Sequence, residues 1–359
     1  MTGEPLVSVI VPAWNSERTL LETLQSVSAQ SHANLEIVIV DDGSTDRTAA
    51  VAQGFCQSEP RARLIQTQNM GVSCARNRGI AEARADWVAP IDSDDLWHPT
   101  KIEKQLRKAL GASGKMGFVY CWHRQIDEDG RVLASGPSLA LKGRVFSRFA
   151  YINPVANGSA PLFSRRALVE VGGYDEDLPP YEDPMVQLRI AARYEVDLVP
   201  EYLVGWRRHS RNASNDVDLI GSRASAMYAR LAAERLRPLP PRIIGWAMAQ
   251  NAVYTAEDRV RRRRPISAIG WLARALWEDP ARTGLELLHR GARAAKRALA
   301  GPAPQQRKLV FEAVDPASAT EADPFAIGSL TAATSWLDEY RFRRLEKLEG
   351  DEEWPFSNS

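Results

Sequence analysis

The stretch Trp87-Val88-Ala89-Pro90-Ile91-Asp92-Ser93-Asp94-Asp95-Leu96-Trp97 decides how the chain is read. It is an apolar strand that runs straight into three carboxylates, Asp92, Asp94 and Asp95. Like charges this close repel, and burial raises their pKa values. A divalent cation relieves both penalties, because hard cations take carboxylate oxygens. Upstream, Leu35-Glu36-Ile37-Val38-Ile39-Val40 ends the same way, in Asp41-Asp42-Gly43-Ser44-Thr45-Asp46. Two apolar strands that both end in acids predict a metal and a polar ligand at one edge of a sheet. Open α/β sheets bind ligands at the carboxyl ends of their strands.

Outward from these strands the pattern alternates. Residues 7–13 read as a buried strand, followed by a helix that Asn15 or Ser16 can cap, with Leu20, Leu21, Leu24 and Val27 at helical spacing. A strand at 35–40 precedes a helix near 46–57 capped by Asp46, and a short strand at 63–66 precedes a helix over Gly71–Arg84. Strand 86–91 leads into the acidic cluster. Pro99 opens a helix to about 112, since proline suits a first turn, and a strand follows at 117–122. The expectation is an α/β fold with a doubly wound, mostly parallel sheet, its strands being continuous apolar runs. Asp127–Gly130 reads as a hairpin turn, Arg165–Gly172 as a short helix ended by glycine, and Asp183–Tyr194 as another helix. Beyond 215 the texture becomes helical and rich in Ala and Arg.

The expected units are 1–215, divided into halves 1–122 and 123–215. A helical region 216–300, a Pro-containing linker 301–328, and a C-terminal helix with an acidic tail at 329–359 follow. The chain has 359 residues, 44% hydrophobic and 25% charged, with a formal net charge of +1, so the whole molecule is not built to bind a polyanion. Mean hydropathy is −0.32. The cysteines, Cys56, Cys74 and Cys121, have no metal-ligand spacing and read as reduced thiols of a cytoplasmic protein. No signal peptide and no spanning segment is apparent in the sequence.

Five motifs in order carry a resemblance. They are Val9-Ile10-Val11-Pro12-Ala13-Trp14-Asn15, the segment Glu36 to Asp46, Asn69-Met70-Gly71-Val72-Ser73-Cys74-Ala75-Arg76-Asn77-Arg78-Gly79, Asp92-Ser93-Asp94-Asp95, and Gly172-Gly173-Tyr174-Asp175-Glu176 followed by Glu182-Asp183. Together they make the first 210 or so residues resemble the inverting glycosyltransferases of family 2, which have the GT-A fold. The resemblance implies transfer of a hexosyl or N-acetylhexosaminyl group, with inversion, from a nucleotide-diphosphate sugar, by family frequency a UDP-sugar. It implies Mn²⁺ or Mg²⁺ on the leaving diphosphate, with Asp94 as first ligand, Asp92 on the metal or the donor ribose within a DxD motif, and His209 as a further ligand. Asp183 takes the role of general base toward an acceptor hydroxyl. Asp42 would receive the nucleotide base, Pro12, Ala13 and Asn15 would wall its pocket, Arg76 would hold base or phosphate, and Ser93 would contact the donor. The acceptor would be a glycan or a lipid-linked glycan in polysaccharide, lipopolysaccharide or glycoprotein assembly.

Each motif also has a plainer reading as a turn, a cap or a first-turn acid. Trp97, Trp122 and Trp206 read as packing residues, and His98 and His123 receive no role. Two other functions compete: a non-catalytic nucleotide-sugar-binding or scaffolding relative, and a sugar-phosphate nucleotidyltransferase. The second would carry a Gly-rich basic loop after the first strand, where this chain has Pro12-Ala13-Trp14-Asn15. Arg261-Arg262-Arg263-Arg264 before Ile266–Trp277 reads as a solvated charge run or an interfacial amphipathic helix at the inner face of a membrane. Nucleic acid is excluded as a partner for want of a recognition motif. The helical region is also available for homodimerisation.

Overall fold

The computed structural model describes residues 4–287 except 137, 156, 211, 213–215, 238, 240, 262–263, 282 and 285–286, and in addition 310–311, 316–317, 340–341 and 343–345. β1 (Val7–Ala13) is buried along its whole length. It is followed by α1 (Leu20–Ser28), β2 (Leu35–Asp42), α2 (Thr48–Ser58), β3 (Ala62–Thr67), α3 (Val72–Glu82) and β4 (Trp87–Pro90). β1 pairs parallel with β2 on one side and β4 on the other, and β2 pairs parallel with β3. The chain therefore moves outward from β1 to β3 and then returns to the opposite flank of β1. The crevice between the ends of β1 and β4 is the switch point at which such sheets take ligands.

β5 (Leu96–Trp97), α4 (Lys101–Leu110), β6 (Met116–Ile126), β7 (Val132–Ser135), α5 (Phe146–Tyr151), β8 (Leu162–Ser164), α6 (Arg165–Glu170), α7 (Glu182–Ala191) and β9 (Glu195–Arg207) complete the sheet region. The strand order is β3-β2-β1-β4-β8-β6-β9-β5, with β7 on β6. The long β6–β9 ladder is parallel, and the antiparallel pairings all involve the short β5, β7 or β8. This is the mostly parallel α/β sheet expected. One large core joins both halves, from Val9 and Ile37 through Phe118 and Phe163 to Met185 and Leu203.

The first helix differs from expectation. Neither Asn15 nor Ser16 caps α1. The Asn15 side chain instead accepts from the Thr45 amide at 2.9 Å, and the Ser16 hydroxyl meets the Ser93 hydroxyl at 2.6 Å. Both are drawn into the crevice, and the helix begins at Leu20. Asp46 does act at the start of α2, accepting from the Thr48 amide at 2.9 Å. β9, absent from the sequence reading, is held to β6 with register shifts around Cys121–His123.

α8 (Val217–Glu234), α9 (Pro241–Arg261) and α10 (Pro265–Glu278) follow the sheet region. α9 reaches the main core through Ile243, Ala247 and Met248, and α10 lies on α9 through Ala252, Val253 and Ala275 with Trp271 beside them. Among the described residues no helix is long and apolar enough to cross a membrane. The expected linker 301–328 is a strap rather than a spacer at its described points. Phe311 packs with Leu96 and Ile126, and the Tyr202 amide donates to the Pro316 carbonyl at 2.8 Å. The expected helix over 329–348 is helical at 340–341 and 343–345. The rest of it, and the acidic tail Glu349–Glu353, lie outside the described residues.

Candidate active site

The crevice is stitched together by short polar contacts. Ser16 Oγ meets Ser93 Oγ, and Thr19 Oγ1 donates to the Ser93 carbonyl at 2.9 Å, so the loop after β1 is fixed to the acidic turn after β4. Asn15 has φ 49°, a left-handed value that asparagine tolerates better than most residues. Its amide donates to Ser44 Oγ and its side chain accepts from Thr45, joining the β1 and β2 loops. Pro12 and Ala13 lie opposite Val40 and Asp41 at the end of this ladder. Asp42 is buried, and its two carboxylate oxygens accept the Met70 and Gly71 amides at 2.9 and 2.8 Å. It orders the loop into α3, and Gly43, with φ 68°, lets the Asn69 backbone approach closer than a Cβ would permit.

The three acids of the turn separate into different environments. Asp95 is fully buried and accepts from Ser159 Oγ at 2.6 Å, Asn157 Nδ2 at 3.2 Å and the Arg207 amide at 2.9 Å. Burial, reinforced by Asp94 and Asp92, pushes its carboxyl well above the ordinary range, so it ties the turn to β9 from within. Asp94 Oδ2 lies 2.7 Å from His209 Nε2. Asp92 Oδ1 accepts from Arg76 Nη2 at 2.6 Å, and its amide donates to Ser159 Oγ.

Arg76, on α3, is 2% exposed and collects carboxylates from two directions. Its Nη1 lies 2.8 Å from Glu182 Oε1 and 3.3 Å from Asp183 Oδ1, at the start of α7. The guanidinium also sits over the Tyr174 ring, 5.1 Å from its centroid. Burial pushes the Asp183 carboxyl up to about 8. Arg76 opposes the shift, and Glu182 and Asp92 add to it. Gly158 covers this knot: a Cβ there would stand 2.8 Å from both Arg76 Nη2 and Asp183 Oδ2. Only glycine lets the 157–159 loop close over the charges.

The arrangement thus joins a carboxyl raised by burial, Asp183, through Arg76 to Asp92 of the acidic turn that also carries the Asp94–His209 pair, at the switch point of a parallel sheet. Strongly shifted groups in a crevice mark functional sites. Among the described residues no three acidic, His or Cys side chains converge as a ready metal cage. The set expected from sequence, Asp92, Asp94 and His209, divides because Arg76 takes Asp92. Asp94 and His209 remain together as an oxygen–nitrogen donor pair that suits a Mn²⁺-like ion, and such ions complete their shells with substrate phosphates.

A model of the family described as glycosyl transferase family 2 matches residues 8–171. An uncharacterized glycosyltransferase of Rickettsia felis is 32% identical over 190 residues, covering 53% of this chain and 31% of that protein. Chondroitin synthase of Escherichia coli is 28% identical over 190 residues, covering 52% and 26%. The chain spans less than a third of the length of the first curated relatives it matches. Among solved structures it is similar to the mannosyltransferase PcManGT of Pyrobaculum calidifontis in complex with GDP-Man and Mn²⁺, with TM-score 0.56, 21% identity and 82% of each chain covered. It is similar also to S. aureus TarS 1-349 in complex with UDP-GlcNAc, with TM-score 0.55, 17% identity, and 75% and 81% covered. These likenesses identify the fold as GT-A.

Of the residues singled out from the sequence, Asn15, Ser93, Asp92, Asp94 and His209 meet around one crevice, with Pro12, Ala13 and Asp42 at its β1–β2 side. Arg76 lies beside them inside a cluster of carboxylates, because its position on α3 faces the acidic turn. Sequence reasoning missed the Asn157-Gly158-Ser159 loop and Arg207. Arg207 is 1% exposed and bonds the Asp94 carbonyl, the Glu128 carbonyl and Glu22. A run of small polar residues was the only signal for the loop, and nothing local marked the arginine.

Proposed function

We propose that the chain is an inverting glycosyltransferase that moves a sugar from a nucleoside-diphosphate donor to a hydroxyl of a glycan or lipid-linked glycan. The observation that carries this reading is the Asp183 carboxyl, raised to about 8 and held at the switch-point crevice by Arg76. In this reading the donor's diphosphate lies between the β1 loop and the acidic turn, near Asn15 and Ser93. Asp94 and His209 would hold Mn²⁺ or Mg²⁺. Such an ion neutralises charge on the departing diphosphate as a Lewis acid.

Asp183 as carboxylate accepts the proton of the acceptor hydroxyl. The new bond forms between that oxygen and the anomeric carbon while the bond from that carbon to the diphosphate oxygen breaks, and the nucleoside diphosphate leaves with the electron pair. Attack from the face opposite the leaving group inverts the configuration. The loop 157–159 and Tyr174 shield the base from water, which also keeps its pKa near working pH. The similarity to chondroitin synthase supports an acceptor of the polysaccharide class. The two structural neighbours carry different nucleotides, GDP-Man and UDP-GlcNAc; in this reading the base preference falls to the exposed Trp14 and Met70, on the loops after β1 and before α3.

The test is a thermal-shift panel of UDP, GDP, dTDP and CMP, each with and without Mn²⁺. A ligand at 100 times its Kd stabilises the folded state by about 2.7 kcal/mol. A metal-dependent shift with one nucleoside diphosphate is the expected result, lost in Asp94→Ala. No shift with any nucleotide in the presence of metal would sink the donor assignment.

A further inference from the structure

We propose that α10 docks this protein onto an anionic membrane surface. Its exposed side is an apolar stripe: Ile266 is 84% exposed, Ile269 66%, Leu276 41% and Trp277 87%. Gly270 and Ala273 are exposed between them. Spacings of three and four residues place all six on one side of the helix, along its full length of about 21 Å. The opposite side is satisfied, since Ala268 and Ala275 are buried and Ala275 packs with Ala252 and Val253 of α9. The stripe is therefore not a core face displaced outward.

The charge around the stripe names the occupant. From Arg259 to Arg297 the sequence holds eleven Lys and Arg residues against three acids, whereas the whole chain is only +1. From Pro265 to Trp277 there is no acid at all, and Arg261–Arg264 immediately precede the helix. A second copy of the chain on this face would bring together two helices that each carry the exposed Arg264 and Arg274 and no acid before Glu278, at a cost in repulsion. A bilayer rich in anionic lipid meets both features. Apolar side chains enter the boundary below the headgroups, Trp277 takes the amphipathic position tryptophan favours there, and basic residues near the surface are drawn to the anionic headgroups.

The docking helix is also close to the candidate site in the fold. α10 lies on α9, and Asn251 of α9 accepts from the Tyr181 hydroxyl at 2.7 Å, one residue before Glu182. A surface bound at α10 is thus one helix away from the start of α7. The inference does not depend on the transfer reaction.

The experiment is co-sedimentation of the full chain with vesicles of phosphatidylcholine alone or mixed with phosphatidylglycerol, at low and high salt. Binding to the mixed vesicles, weakened by salt, is expected. The double variant Ile266→Glu/Trp277→Glu should lose at least tenfold in partitioning with an unchanged melting midpoint. Replacement of Arg261–Arg264 by Ser, a second variant, should abolish the preference for anionic lipid. No binding to mixed vesicles at low salt, equal binding to both vesicle types, or undiminished binding by the double variant would each overturn the proposal. A dimer in light scattering that the double variant renders monomeric would assign the stripe to a second copy, and overturn it likewise.

Discussion

Arg76 carries its charge among Asp92, Glu182 and Asp183 with almost no exposure to water, so the acids it meets are held by attraction rather than by solvent. A lone buried cation would be costly, and three facing carboxylates offset that cost. The excess of negative charge, together with burial, leaves Asp183 protonated at neutral pH in the free protein, with its carboxyl near 8. A base must be ionised to accept a proton. The kcat/KM for transfer is therefore expected to rise with pH, about tenfold per unit below 8, and to level above it. Asp183→Asn should lower kcat by about 10²–10⁴-fold while leaving the nucleotide thermal shift intact. A pH-independent kcat/KM from 6 to 9, or near-normal turnover by the variant, would place the base elsewhere.

At the scale of elements, Glu36 shows how one residue can lock several segments. It lies on β2, accepts from Ser8 of β1, from Arg63 of β3, and from the backbone and side chain of Arg84 beyond α3. Burial pushes its carboxyl up, yet these bonds outweigh that and hold it at about 2, against 4.5 for a free glutamate. A depressed folded pKa means that stability is fully present above about 4.5 and is lost as pH falls toward 2. The difference corresponds to about 3 kcal/mol. Urea unfolding between pH 6 and 2.5 should show that loss in the parent and a flatter dependence in Glu36→Gln; equal slopes would remove Glu36 from the account of acid sensitivity. This same segment shows why half of the sheet was legible. Leu35–Val40 and Val7–Ala13 are buried on both faces, so their apolar runs announce strands. β9 is broken by Pro200 and Glu201, mixes buried and half-buried positions without a steady period, and shifts register against β6, so no sequence pattern betrays it. The acids at strand ends were legible because carboxylates in apolar surroundings demand a partner. That Arg76 is the partner was not legible, because sequence shows which residues are basic but not which way a helix turns them.

For the whole molecule, the C-terminal segment behaves as part of the fold where it is described. Phe311 closes the small cluster of Leu96 and Ile126, directly after the acidic turn. Further on, Arg341 is 5% exposed and reaches Asp279 at the end of α10 through both terminal nitrogens, at 2.6 and 2.9 Å. Its Nη1 also donates to the Tyr151 hydroxyl, and its guanidinium stacks on Trp246 of α9, 4.0 Å from the ring centroid. One side chain thereby ties the end of the chain to α5, α9 and the end of α10. Asp279 is 2% exposed, so removing the guanidinium leaves its carboxylate in a site built around a cation. Breaking a buried pair from one side costs about 3–5 kcal/mol. Arg341→Ala is expected to lower the melting midpoint by several degrees. In the double variant Arg341→Ala/Asp279→Ala the loss should be less than the sum of the two single losses, since the second change removes the stranded charge. Additive losses in that cycle would mean that Arg341 acts through Tyr151 and Trp246 and not through its pair with Asp279. Because Arg341 holds Asp279 at the end of α10, Arg341→Ala should also weaken sedimentation with anionic vesicles, linking this anchor to the surface we assign to α10.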